Sequence, residues 1–273
     1  MVFAILVLLF GVLSSIFLYP AHTSYFTYHL VFTAILGFLS SIVLDWAIKE
    51  ESISFLPKED RRKKDKDVKN FFWFFISSGY ILSKIFKDSI CYRERNSDVV
   101  ACGDINCKCE KAAKAAFISN ANRLNLVVSG ILLLIITIAS FNMDVVKINF
   151  IWQSFSFFIF FRVTSRSIEI IYAFTMDVLK GESKSSSSLD KYDRIGLALK
   201  SYVENILNYS LVYYVFSNEN GVGSAVLNSI GTATISKVHN SNCNLEQLFV
   251  YGQVLTSLCL VVLSLAMYIS RKK

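Results

Sequence analysis

The residues of this chain whose types and spacing could do chemistry are few, and most of them sit where charge is expensive. Arg162, Arg166 and Glu169 lie inside an apolar run at intervals of four and three, which puts all three on one face of a helix. Charges within a hydrocarbon-length segment turn toward the protein interior or toward water, commonly in pairs. A voltage-sensing role would need a longer basic series than two arginines beside a glutamate. The favoured expectation is an ion-pair network inside a helix bundle, with Glu204 of a later apolar run, at comparable depth, as partner. Such a network could also carry motion between helices.

A second cluster is Cys91, Cys102, Cys107 and Cys109. Four thiolates could hold zinc, but the paired two-residue separation of zinc knuckles is absent and no histidine is nearby. Reduced free thiols are the expected state, so no cofactor is assigned, with zinc as the alternative. The histidines His22, His29 and His239 are too scattered for a catalytic or metal set. No Ser-His-Asp order, HExxH or phosphate-cradling glycine loop occurs, and no enzyme activity is expected.

The elements that must position these residues follow from composition. Of 273 residues, 53% are hydrophobic and only 18% are charged, with 23 Phe and 2 Pro; mean hydropathy is +0.47. A soluble domain would carry about a quarter charged residues. Apolar runs near 18 residues or longer recur, at 2–19, 28–48, 124–141, 150–176, 195–216 and 249–269. The first has no basic residue before it and no small-residue cleavage site after it, so it reads as a span rather than a signal peptide. The expectation is an all-α integral membrane protein with about six transmembrane helices.

Charge sets the orientation. The segment 71–86 is aromatic but short of the ~20 residues a crossing needs, so it is expected to lie at the interface. Then 23 of the 28 Lys and Arg fall on one side. By the positive-inside rule that side, and both termini, are cytoplasmic, in a plasma or bacterial inner membrane. The net charge of +7 is thereby explained without a nucleic-acid partner. The expected organisation is an N-terminal hairpin (1–48), a cytoplasmic segment with the interfacial helix and the cysteines (49–123), a second helix pair (124–179), a Ser-rich flexible joint (180–194) and a C-terminal unit (195–273).

Between the last two spans, residues 224–234 are too short and too polar to cross, yet suit a half-helix dipping into the bilayer under the shelter of protein. Span, re-entrant helix, descending loop and span, with Ser229-x-x-Thr232-x-Thr234 ending the short helix, resembles the pore module of two-transmembrane potassium channels over residues 195–270. The resemblance implies a homotetramer around a central path for monovalent ions, with Thr256 and Ser257 as polar groups of the inner helix. The filter position departs from the family. Thr234, Ile235, Ser236, Lys237, Val238 and His239 replace its glycine-containing Thr-Val-Gly-Tyr-Gly-Asp. Without those glycines the carbonyls cannot be aimed at a cation, and Lys237 brings positive charge. Lys237 either makes the mouth anion-tolerant or closed, or faces outer solvent on a loop that lines nothing.

The expected function is ion passage of altered, not potassium-type, selectivity. The alternative is a membrane-anchored sensor or effector in which the channel-like unit does not conduct and residues 49–123 receive the signal. A small-solute transporter ranks third, because the sequence offers neither repeats nor evident midplane binding residues.

Overall fold

A computed structural model describes residues 26–56, 77–90, 104–140, 150–180, 187–216, 221–236 and 244–265. The expected span at 2–19, Cys91, Cys102 and the filter-like residues Lys237, Val238 and His239 lie outside the described residues. Within them the chain is helical apart from short turns, with no strand. The helices are α1 (Phe26–Ser54), α2 (Ser78–Ser89), α3 (Asp104–Ser140), α4 (Phe150–Lys180), α5 (Lys191–Phe216), α6 (Val222–Ala233) and α7 (Asn244–Leu258), the last continued by π-helical turns over Cys259–Leu265.

Paired side chains fix the directions of the helices. Asp45 meets Arg162 and Lys49 meets Glu169, so α1 and α4 run parallel. Asn122 meets Arg166 and Asn125 meets Arg162, so α3 runs antiparallel to α4. Arg166 with Glu204 and Asp177 with Arg194 make α5 antiparallel to α4 as well. Ser257 meets Asn205 and Gln253 meets Tyr213, which reverses α7 against α5. Apart from the short helices α2 and α6, the long helices therefore alternate in direction along the chain.

Among the described residues two helices are long and apolar enough to cross a membrane, α1 over Val31–Ser54 and α3 over Lys111–Ser140. Their outward faces carry Val31, Phe32, Ile35 and Leu39, and Val127, Leu134, Ile135 and Ile138, all exposed. The polar side chains lie inside instead. Asp45, Lys49, Arg162, Arg166, Glu169 and Glu204 are all buried. Ionised groups are almost never fully buried unless paired, and these charges are held in ion pairs.

The apolar core joins all the long helices and α6. Leu44 and Ile48 of α1, Leu132 and Ile136 of α3, Phe158, Ile159 and Val163 of α4, Leu211 to Tyr213 of α5, Ala225 of α6 and Phe249 and Val250 of α7 form one cluster. The helices approach closely where side chains are small. A Cβ on Gly37 of α1 would fall 2.6 Å from the backbone nitrogen of Phe158 on α4.

Four details bear on the organisation expected from sequence. The limits near 49 and 123 fall inside helices, because α1 continues to Ser54 and α3 begins at Asp104. The helices of the C-terminal unit, α5, α6 and α7, share the core of α1, α3 and α4. The last of the Ser-rich joint is tied down: the backbone N–H of Ser188 donates to the carbonyl of Lys111 at 3.2 Å. Finally, the described end of the aromatic segment packs onto the bundle. Ser77, Ser78, Ile81, Leu82 and Phe86 are buried, and α2 packs against α1 and α4.

Candidate functional site: a buried charged column and its cavity

The column is built on the face of α4 that the spacing of Arg162, Arg166 and Glu169 defines. Arg166 stands at its centre. Its Nε donates to Glu204 Oε1 at 2.6 Å and its Nη2 to Glu204 Oε2 at 2.9 Å, a two-pronged pairing that fits the planar guanidinium to a carboxylate. Nη1 reaches Glu169 Oε2 at 2.8 Å, one turn along the same helix. Nη2 also donates to Asn122 Oδ1 at 2.9 Å, an oxygen that accepts from Ser201 Oγ at 3.0 Å.

Toward one end, Glu169 Oε1 accepts from Lys49 Nζ at 2.8 Å and from Ser83 Oγ. Beyond it, Arg194 pairs with Asp177 and donates through Nε to the carbonyl of Leu189 at 3.1 Å. Toward the other end, Arg162 pairs with Asp45 and donates to Asn125 Oδ1. Arg162 is 1% exposed and Glu204 fully buried, so neither charge has water as an alternative partner. From Arg162 to Asp177 the column covers about 22 Å of helix, most of a hydrocarbon core.

Helix α2 is docked onto this column by its N-terminus. Ser77 caps it, accepting from the N–H of Tyr80 at 3.3 Å and donating to the carbonyl of Ser165 at 3.0 Å. Ser78 Oγ donates to Asp45 Oδ2 at 2.9 Å, and the N–H of Gly79 donates to Ser165 Oγ at 3.0 Å. A side chain at 79 would press on the two carboxylates. An added Cβ would stand 2.9 Å from Glu169 Oε2 and 3.2 Å from Asp45 Oδ2. Two buried carboxylates thus face the positive end of a short helix.

Past Arg162 the column turns neutral. Ser129 Oγ donates to Asn208 Oδ1 at 2.8 Å, and Asn205 Nδ2 donates to Ser257 Oγ at 3.1 Å. Where α5, α6 and α7 meet, Tyr213 OH donates to Gln253 Oε1 at 2.7 Å, and Gln253 Nε2 donates to the carbonyl of Ser229 at 2.9 Å. Ser229 Oγ donates to the carbonyl of Ile206 at 2.7 Å. Residue 229 reaching residue 206 means that α6 folds back along α5 for a good part of its length.

At the opposite end the column opens into a cavity of about 410 Å³, whose wall includes Lys49, Arg166 and Glu169. Tyr80 and Tyr172, with ring centroids 4.3 Å apart, stand together on its lining.

The residues singled out from sequence are distributed unevenly over this arrangement. Arg162, Arg166, Glu169 and Glu204 come together, Arg166 with both glutamates and Arg162 with Asp45 instead. Thr256 and Ser257, expected to face a central path, are buried inside the protomer: Thr256 Oγ1 donates to the carbonyl of Gly252 at 2.8 Å, and Ser257 turns to Asn205. The described part of the filter-like segment is a helix cap. The N–H of Ser236 donates to the carbonyl of Gly231 at 3.0 Å and that of Ile235 to Thr232 at 3.1 Å, closing α6 in the two-bond pattern that usually employs glycine. Ile235 adopts φ 59° there. Thr234 spends its hydroxyl on the carbonyl of Ile230 at 2.9 Å, and Thr232 is buried. Thr234, Ile235 and Ser236 are thus wound into the end of α6 rather than extended. Cys107 and Cys109 lie on the backbone of α3, and among the described residues no group of His, Cys, Asp and Glu could hold a metal.

Asp45, Lys49, Asn122, Asn125, Asn208 and Gln253 are the members that sequence reading missed. A signal was present. Asp45 and Lys49 are four apart, and Asn122, Asn125 and Ser129 are spaced three and four, so each set lies on one helix face.

No protein-family model matches this chain, and neither a curated protein nor a solved structure resembles it.

Proposed function

We propose that the chain is a polytopic membrane protein that passes small ions across the bilayer along the charged column inside each protomer. The observation that carries this reading is the junction of the column with the cavity, where Lys49, Arg166 and Glu169 belong to both. Ionised side chains at membrane depth mark ion or substrate pathways by default. Stability alone does not account for them, because well-packed apolar residues in place of a buried ion pair are commonly as stable or more so. The alternating helix directions fit six crossings with the cavity on the cytoplasmic side, where the basic segments around 49–70, 84–123 and 180–194 would gather.

Purified protein in liposomes, with potassium chloride gradients followed by a voltage-sensitive dye, tests the reading. A current is expected, and Asp45→Leu with Arg162→Met should abolish it while the variant remains monodisperse in detergent. Absence of current from the unaltered protein would overturn it. Current unchanged in the double variant would move the path elsewhere.

A second reading keeps the path on an axis shared by several copies, with α5, α6 and α7 around it. It is favoured by the fold-back of α6 along α5, and by the exposed apolar face of α7, Leu248, Tyr251 and Leu255, which a neighbouring copy could cover. A tetramer by mass measurement in detergent, together with current surviving the double variant, would favour it.

A further inference from the structure

We propose that the outer groove between α3 and α5 binds an anionic phospholipid, its phosphate held by Arg123 and Lys200 and its chains lying on the apolar floor beyond them. The inference rests on the membrane reading proposed above, but not on the passage of ions.

Helical geometry brings the two cations to one place. Ser201 Oγ of α5 donates to Asn122 Oδ1 of α3 at 3.0 Å, and Asn122 Nδ2 donates to the carbonyl of Leu197 at 3.2 Å. Both helices run antiparallel to α4 and are therefore parallel to each other. Each residue of a helix turns about 100° from the last. In a parallel pair, the residue after a contact on one helix and the residue before it on the other then turn to the same side. Those residues are Arg123 and Lys200. Both are exposed, so that side is the outer one, while Arg166 reaches the same contact from within.

Charge is the second argument. Among the described residues neither side chain has an ion pair or a hydrogen bond. The acid in line with Lys200 on its face of α5 is Asp193, two turns earlier. It is engaged at the start of the helix, where its Oδ2 accepts from the N–H of Asp190 at 3.4 Å. A zwitterionic head would bring a cation of its own against these two, and an anionic head would not.

The floor is the third argument. Beyond Arg123, α3 carries no charge over residues 124–140, and beyond Lys200, α5 carries only Glu204, which is fully buried. Val127, Gly130 and Leu134 continue the face of Arg123, and Val203 and Leu207 that of Lys200. Val127, Leu134 and Val203 are exposed, and a Cβ on Gly130 would meet nothing within 4 Å. The two cations are thus the last charges before an apolar outer surface. Long basic side chains at such a limit extend toward lipid phosphates, and basic sites between helices hold anionic head groups.

The test is native mass spectrometry of the full chain in detergent, titrated with dioleoyl phosphatidylglycerol or dioleoyl phosphatidylcholine. One phosphatidylglycerol per protomer is expected to bind first, with phosphatidylcholine weaker by about tenfold or more. Arg123→Gln with Lys200→Gln should weaken phosphatidylglycerol by a comparable factor and leave the unfolding temperature in lipid-free detergent unmoved. Removing the same charge by Lys84→Gln with Lys111→Gln should leave the first site intact. Gly130→Trp, which fills the floor and touches no charge, should weaken both lipids. Glycerol 3-phosphate, a head without chains, should not compete.

Equal affinity for the two lipids, or a double variant at 123 and 200 that still binds, would overturn the site. So would an equal loss from the variant at 84 and 111, or competition by glycerol 3-phosphate. Because the readout is binding, a protein that holds phosphatidylglycerol but passes no current keeps this site and loses the ion path. One that conducts and is indifferent to the lipid does the reverse.

Discussion

The two halves of the bundle solve the same problem with different chemistry. Around α4, polar side chains are ionised and paired: Lys49, Glu169, Arg166 and Glu204 form one chain of charge, and Asp45 with Arg162 a second pair beside it. Around α6 they are neutral and self-contained: Tyr213, Gln253, Ser229 and the carbonyl of Ile206 make a closed set of hydrogen bonds. Hydroxyls and amides between helices in a membrane are worth about 0.6–2 kcal/mol each. A buried ion that loses its partner costs several times more. The neutral half is therefore tolerant of single changes, and the charged half is not. What can be altered cheaply in one region is structural mortar in the other.

That contrast can be broken or sharpened by substitution, read as equilibrium unfolding in mixed detergent micelles. Arg166→Ala should have the largest effect. It strands Glu204 and half of Glu169's pairing, a loss of about 3–5 kcal/mol. Addition of Glu204→Gln should recover part of that loss, since the stranded charge goes with it. Next comes Gly37→Ala, where the new methyl meets the backbone nitrogen of Phe158 at 2.6 Å. Backbone cannot rotate aside as a side chain can, so a cost of about 1–3 kcal/mol is expected. In the neutral half, Tyr213→Phe should cost only about 1 kcal/mol. A loss there as large as that of Arg166→Ala would erase the distinction between the halves. The smallest effect is a gain: Ile235→Gly should raise stability by up to about 1 kcal/mol, because φ 59° is strained for a β-branched residue and free for glycine.

How far the sequence could be read follows the same division. The stripe of Arg162, Arg166 and Glu169 and its meeting with Glu204 were legible, since helical spacing and depth are local quantities. Lys49 was not. At the end of an apolar run it reads as the first solvated charge of a cytoplasmic block, and only the arrival of Glu169 across the bundle makes it interior. Asn122 was lost for the same reason, lying two residues before the expected start of a span. Hydropathy ends a segment where polarity begins, but a backbone with partners waiting continues as helix. The Ser229 to Thr234 pattern was legible as a short helix with a stop. The cap was not, because Thr234 to Ser236, which could begin an extended loop, close instead onto α6, a choice made by backbone hydrogen bonds that no side-chain pattern records.

Asp45 and Lys49 find their final partners 117 and 120 positions later in the chain. When α1 leaves the ribosome those partners do not yet exist. The two side chains are one helical turn apart and opposite in sign, close enough to neutralise each other in the interim. On the membrane reading proposed above, helix α1 brings its own counter-ion with it and surrenders it when α4 arrives, trading a local marriage for two distant ones. Assembly is written into that exchange: a chain stopped before residue 162 would still hold the temporary pair, and only a longer one could trade it.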